Sequence, residues 1–520
     1  MGWNEKTSRE RVAEHDFHDF EVNVDDLSRT MDFANLGTHD VRRVNGAHIY
    51  ADVPNFHLAV DDAGADKQKQ RKLVRAASVL RRVQSEILRD QDVGKIQLQT
   101  ARLHALCFKP YDDEAKRATR AVITAISLNS YLYDVFNPIF EDVRDFHGAV
   151  GIAAGTSYIA NIGFHGDRER ICLGTCANLA AKVIDGRETI TVTEDIYTHL
   201  PDALQEHFVK TEEVAGVPTY QATGLRWGEY LTLAEEFGVD FNAVKLAKRT
   251  VEYRDALPLH EMEITEAIVL IDPDLLTERN SKRTSAVAIF ADIDGFTQYV
   301  QDAEDDAAVV SLVRQLHMIR HEFHAIMKQD FPGVVLQHQG DRMFGILHMP
   351  TGDDELNKRC RKALDVAIGL QSSMKHVISE KLPGQEKLHV AVGLDVGTAL
   401  VTRLGKQGKR ENICLGREVT SAEKLQLRAP GKQIRISQTI YDAINDDTLR
   451  EQFEEVRKGE YAADMLTFPK LDELQEEAAA RANKLGAVAN GNRIEVVTDS
   501  SRHSKPWGNT KPWFSGRSGV

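Results

Sequence analysis

The sequence predicts an α+β protein made of two tandem copies of one ferredoxin-like unit, with the order βαββαβ in each. Three observations predict it. The block IYADVPNFH (49–57) recurs 240 residues later as IFADIDGFT (289–297), and QLQTARLHALCFKP (97–110) recurs at the same offset as QHQGDRMFGILHMP (337–350). GTSYIANIGFHGDRERICLGTCANLAAKV (155–183) then matches GTALVTRLGKQGKRENICLGREVTSAEKL (397–425) at 242, and ITVTEDIY (190–197) matches IRISQTIY (434–441) at 244. Finally, the hydrophobic period within each copy switches between that of a strand and that of a helix.

Taken in order, 47–53 and 286–293 are short apolar runs bounded by turn residues, as buried strands are. Leu73, Ala76, Val79, Val83 and Ile87 then align with Val313, Leu316, Ile319, Phe323 and Met327 at helical spacing, so a helix packs on the sheet. Two apolar runs flank a turn at QTA and QGD. A second helix (Lys116 to Leu128; Asn357 to Met374) and a further strand (Ala149 to Ala153; Val390 to Leu394) complete the unit, with 155–183 and 397–425 as additions. The expected divisions are an N-terminal helical segment 1–43, a first domain 44–227, a helical connector 228–283, a second domain 284–470, and a polar helix with a disordered tail over 471–520.

Composition excludes several classes of function. The 520 residues carry a net charge of −14, which argues against broad adhesion to nucleic acid or anionic membrane. Five cysteines in so long a chain are no disulfide framework. No apolar run approaches the roughly 18–20 residues that cross a bilayer, and the N-terminus lacks the apolar stretch of a signal peptide. The expectation is a soluble protein of the cytoplasm. Cys172-x3-Cys176 has poor zinc spacing and reads as buried thiols, and the 19 histidines show no spacing of a metal cluster.

The second copy carries Asp292 at the end of its first strand and Asp341 in the tight turn QGD. Adjacent strands bring such carboxylates together, and two that repel are accommodated by a divalent cation between them. The glycine of Gly340-Asp341 permits the sharp turn, and that of Asp294-Gly295 opens a helix start suited to phosphate. Mg²⁺ or Mn²⁺ with phosphate oxygens is the natural ligand set.

FADIDGFT, GDRMF, GLDVGTALVTRLG and CLGREVTSAEKL, in this order, resemble the catalytic domain of class III nucleotide cyclases, and the first copy resembles a diverged second one. The resemblance implies an intrachain pseudo-dimer that converts a nucleoside triphosphate to a 3′,5′-cyclic monophosphate and pyrophosphate, with two Mg²⁺ or Mn²⁺ ions at the interface. It assigns Asp292, Ile293 and Asp341 to the metals, and Asn178 and Lys182 of the first copy to catalysis, Lys182 standing where the family usually has arginine. Gln97, Ile171, Phe296 and Thr297 fall at substrate positions, and Arg410, with Lys406 and Lys409 in one basic loop, is a replacement candidate for holding the triphosphate. The second interface site, with Asp52, Ala101 and Thr420, lacks one carboxylate and the asparagine, and is expected to be silent or regulatory. The triphosphate lysine of the family reads Ala215-Gly216 in the first copy and survives only as Lys458-Gly459 in the second.

Gln97 and Ile171 fall where purine cyclases of this family read the base. Isoleucine can neither accept from an adenine amino group nor donate, which leaves adenine unread unless Tyr50 or Arg102 serves. A bare pair of cyclase halves with an altered base pocket resembles the Pycsar pyrimidine cyclases of bacterial anti-phage defence, which make cyclic CMP or cyclic UMP for a separate effector. An adenylate cyclase is the alternative. A non-catalytic nucleotide-binding scaffold is the alternative of another class, against which the complementary retention of carboxylates in one half and asparagine in the other argues.

Overall fold

Two nine-stranded sheets, one in each half of the chain, carry the same strand order in the computed structural model. The structure describes residues 2–14, 21–28, 36–99, 101–163, 168–229, 237, 239–301, 303, 305–349, 355–382, 388–405 and 411–491, with side chains to 481. In the earlier half the strands are β1 (Asn23–Asp26), β2 (Asp40–Asp52), β3 (Gly94–Gln99), β4 (Arg102–Cys107), β5 (Ala149–Ile162), β6 (Glu169–Leu173), β7 (Thr189–Thr193), β8 (Val209–Lys210) and β9 (Thr219–Thr223). They run β3-β4-β2-β5-β7-β9-β8, with β1 beside β2 and β6 beside β5. The later half repeats this with β10 (Glu263–Glu266), β11 (Asn280–Asp294), β12 (Gly333–Gln339), β13 (Arg342–His348), β14 (His389–Leu404), β15 (Glu411–Leu415), β16 (Gln433–Ser437), β17 (Glu454–Arg457) and β18 (Glu460–Asp464).

The expected βαββαβ unit is β2, the Lys67–Asp90 helix, β3, β4, the Glu114–Ser130 helix and β5, with its counterparts from β11 to β14. Alternation along β2 explains the layering. Ala47, Ile49 and Ala51 pack with Val79, Val83 and Ala121 of those helices, while Val44 and its neighbours pack with Leu106 and Ile159 on the opposite face. The central strands are longer than the apolar runs suggest, because β5 and β14 continue to pair with β6 and β15 beyond the core.

The segment 1–43, read as helical, has among its described residues the Glu5–Glu14 helix and then a strand, β1. NVDD has no apolar alternation and lies exposed at the edge, so nothing in the sequence marks it as a strand. Among the described residues, the connector 228–283 likewise has the Ala243–Asp255 helix followed by β10. β1 pairs in parallel with β2, and β10 with β11, in the same relative register. The structural repeat therefore begins well before residues 44 and 284.

The two leading helices are exchanged between the halves. The Glu5–Glu14 helix packs on the later half, where Arg11 meets Glu322 at 2.9 Å and Asp330 at 2.8 Å, and Ser8 Oγ donates to Glu322 at 2.7 Å. The Ala243–Asp255 helix packs on the earlier half, with Thr250 and the Tyr131 hydroxyl 3.2 Å apart and Arg249 3.5 Å from Glu86. Arg11, Glu322 and Asp330 are all buried, so Arg11→Ala strands two carboxylates without a cation. That variant is expected to lose about 3–5 kcal/mol of stability, read from its urea midpoint.

The chain divides into Met1–Leu471 and a unit from Asp472 onward, of which only the end of the Phe468–Gly491 helix is described. The expected tail lies outside the described residues. Among the described residues no helix is long and apolar enough to cross a membrane.

Candidate active site

Asp292 stands near the end of β11, opposite Ala391 of β14. Asp341 occupies the two-residue turn that joins β12 to β13, where Gln339 pairs with Arg342. Gly340 takes φ +72° there, the left-handed conformation a tight hairpin needs at its first turn position and glycine adopts without strain. Because β13 is the neighbour of β11, both carboxylates arrive at one end of adjacent strands. Burial raises the Asp341 carboxyl well above the usual range, and the Asp292 charge raises it further. Burial also raises Asp292, opposed by Arg342. Two neighbouring acids that resist ionising together, with hard oxygen donors, are a fitting ligand set for a divalent cation.

Arg342 is kept partly off this pair. Its Nε is 3.7 Å from Asp292, while its Nη1 bonds Glu423 at 3.2 Å, and Gln426 donates to Asp292 at 3.1 Å. The earlier half shows what happens otherwise. Arg102, the counterpart of Arg342, grips Asp52 with two donors at 2.7 and 3.2 Å, and Ala181 stands at the Glu423 position. There a guanidinium sits where an ion would, and Ala101 supplies no second carboxylate. Glu423→Ala should accordingly let Arg342 close on Asp292 and raise the Mn²⁺ concentration for half-maximal turnover about tenfold, a shift read from a metal titration at saturating nucleotide.

Asn178 and Lys182 lie on the Thr175–Lys182 helix, which packs on the Phe296–Gln301 helix of the later half. That second helix follows Asp292 directly, after Gly295 at φ +85°. Asn178 is half-buried and Lys182 exposed, and among the described residues neither side chain has a protein partner. By the pseudo-twofold relation, the Arg417–Leu427 helix packs on the Phe56–Ala63 helix. Between those two lies a cavity of about 510 Å³ with Thr420, Lys424, Arg428, Lys458 and His57 on its walls.

The expected base-reading positions are already engaged across the interface. Gln97 Nε2 donates to the His338 carbonyl at 2.8 Å and to Glu169 at 3.2 Å. Ile171 is buried on β6 in an apolar cluster with Ile293 and Phe296. Thr297 is partly exposed beside Phe296, and Arg410 lies outside the described residues, as do Lys406 and Lys409. Two residues were missed by sequence reasoning. Glu169 accepts from the His338 amide at 2.9 Å, and buried Arg320 bonds the Gly340 carbonyl and, at 3.3 Å, the Ile162 carbonyl. Both tie the Asp341 turn to the earlier half. A charged residue in a polar loop or in a helix reads as solvated, so no local signal marks either.

Residues 279–465 match the family model for the adenylate and guanylate cyclase catalytic domain. The later half of the chain thus carries a domain of the class III nucleotide cyclase type. A uridylate cyclase from Pseudomonas aeruginosa is 28% identical over 464 residues, covering 85% of this chain and 86% of that protein. A uridylate cyclase from a Rhizobium species is 26% identical over 419 residues, covering 76% and 78%. The solved structure of a class III adenylyl cyclase-like ATP-binding protein from Pseudomonas aeruginosa has a TM-score of 0.77 at 26% identity, over 91% of this chain and 99% of that chain. Cyclases of this class generally depend on divalent metal. The fold class expected from the repeats thus agrees with that of a full-length relative.

Proposed function

We propose that this cyclase converts UTP to 3′,5′-cyclic UMP and pyrophosphate at one composite site, and that the product is a second messenger for a separate effector in anti-phage defence. The single observation that carries the site is the division of groups between the halves. The acids that suit a metal belong to the later half, and the helix with Asn178 and Lys182, whose side chains have no partner among the described residues, comes from the earlier one. The base assignment rests on two long relatives named for uridylate, together with Ile171, whose side chain offers adenine no hydrogen bond.

In the reaction the ribose 3′-oxygen bonds to the α-phosphorus, its proton leaves, and the bond to the pyrophosphate oxygen breaks. Divalent ions held by Asp292 and Asp341 would supply the positive charge that such a transfer needs at its attacking and leaving oxygens. Asn178 orients the ribose, and Lys182 brings a cation to the charge that develops on the phosphate. Lysine does this as a point charge, without the forked geometry of arginine. Arg320, Glu169 and Gln97 hold the Asp341 turn against the earlier half, so the two sets of groups keep a fixed spacing.

The test is incubation of the purified protein with Mn²⁺ and each of ATP, GTP, CTP and UTP, with products identified by mass spectrometry. Cyclic UMP should predominate. Predominant cyclic CMP would keep the pyrimidine reading and move the base. Predominant cyclic AMP would favour the second reading, adenylate cyclase, for which the ATP-binding relative is the supporting observation.

A further inference from the structure

Beneath the sheet of the earlier half lies a polar cluster that the proposed reaction does not use. His48 on β2, His104 on β4 and Cys172 on β6 bring one ligand atom each to within 4.8 Å of one another. His48 Nδ1 faces His104 Nε2 at 3.0 Å, and His48 Nε2 meets Ser157 Oγ at 3.0 Å. Tyr50 stacks on His104 with ring centroids 4.0 Å apart, which fixes that ring.

The duplication supplies an internal control. At the repeat offsets of 240 and 242, His48, His104, Ser157 and Cys172 correspond to Ala288, Phe344, Ala399 and Cys414, and the strand registers agree with this correspondence. Those four residues belong to one apolar cluster. The scaffold therefore packs well without imidazole here, and burying polar rings carries a cost that packing alone does not repay. The thiol is common to both halves; the two histidines are what convert it into the third member of a ligand set.

We propose that His48 Nδ1, His104 Nε2 and Cys172 Sγ bind a zinc ion in the earlier half, at a site separate from Asp292 and Asp341. Tetrahedral zinc separates two nitrogen ligands by roughly 3.4 Å, so the His48–His104 contact need open by only a few tenths of an ångström. Burial keeps both imidazoles neutral, with His48 pushed down to about 3, and the neutral ring is the form that ligates. Donation from His48 Nε2–H to Ser157 Oγ leaves the Nδ1 lone pair for the ion, and a hydrogen bond on the outer nitrogen orients a metal-bound histidine. Burial pushes the Cys172 thiol up, and binding of the ion takes its proton. The ion would tie β6, which leads into the helix bearing Asn178, to β2 and β4.

The full chain, stripped with a chelator, is to be loaded with Zn²⁺ or Co²⁺ and passed through gel filtration, with metal counted by mass spectrometry. Asp341→Asn serves as the background in which the carboxylate pair is disabled. One zinc per chain and a near-ultraviolet thiolate-to-cobalt absorption band are expected there. Cys172→Ala should abolish the band, and His48→Ala/His104→Phe/Ser157→Ala, which copies the later half, should weaken zinc binding at least about 100-fold. Should the triple variant misfold, Cys172→Ala decides alone. Failure to retain zinc, absence of the band, or retention of both in the variants overturns the proposal.

Discussion

Asp341→Asn is expected to lower cyclic nucleotide formation by about 10²–10³-fold at saturating Mn²⁺, since loss of a metal carboxylate forfeits several kcal/mol of charge stabilisation and each 1.36 kcal/mol is tenfold in rate. The side chain keeps its size, and the turn depends on Gly340, so the fold should persist. Stability should move in the opposite direction from activity. In the metal-free protein Asp341 is raised well above its ordinary value by burial and by Asp292. The folded state therefore holds this proton to higher pH than the unfolded chain does, and stability falls as pH rises through that raised value. Asparagine removes the penalty. At neutral pH the metal-free variant should melt above the metal-free parent, and Mn²⁺ should no longer raise its melting temperature. Full activity in Asp341→Asn would mean that the metals sit elsewhere.

The route from sequence to this site was short where chemistry and repetition coincide. Asp292 and Asp341 were legible because Asp341 adjoins Gly340 in a tight turn and Asp292 closes an apolar strand three residues before Gly295, and both glycines take positive φ. The central strands were legible from their apolar runs, and the helix spacing from Leu73 to Ile87 marks a real helix, Lys67–Asp90. The exchanged leading helices were not legible. The Glu5–Glu14 helix buries little beyond Ser8, Arg11 and Val12, and its partners Glu322 and Asp330 lie more than 300 residues away. The contrast between Arg102 on Asp52 and Arg342 on Glu423 was equally hidden. It turns on side-chain direction between strands and a helix, which spacing along the chain does not encode. His48, His104 and Cys172 escaped for the same reason: three strands assemble them, with no short motif.

Asn178→Ala tests the other half of the composite site. Removing this amide from the earlier half should lower kcat about 10²-fold while changing KM much less, because in the proposed reaction the group serves the transition state, and among the described residues its side chain makes no protein hydrogen bond whose loss would disturb the ground state. Thr420→Ala, at the corresponding position of the second interface, should leave turnover within about twofold, since Arg102 holds Asp52 there and Ala101 gives no second metal ligand. The two inactive variants also test whether the site forms within one chain. Mixed Asn178→Ala and Asp341→Asn proteins should stay inactive, because each half is clasped by the leading helix of the other half of its own chain, through Arg11 on one side and Arg249 on the other. Recovery of activity on mixing would mean that intact halves from two molecules can pair, and that the exchanged helices do not enforce pairing within the chain.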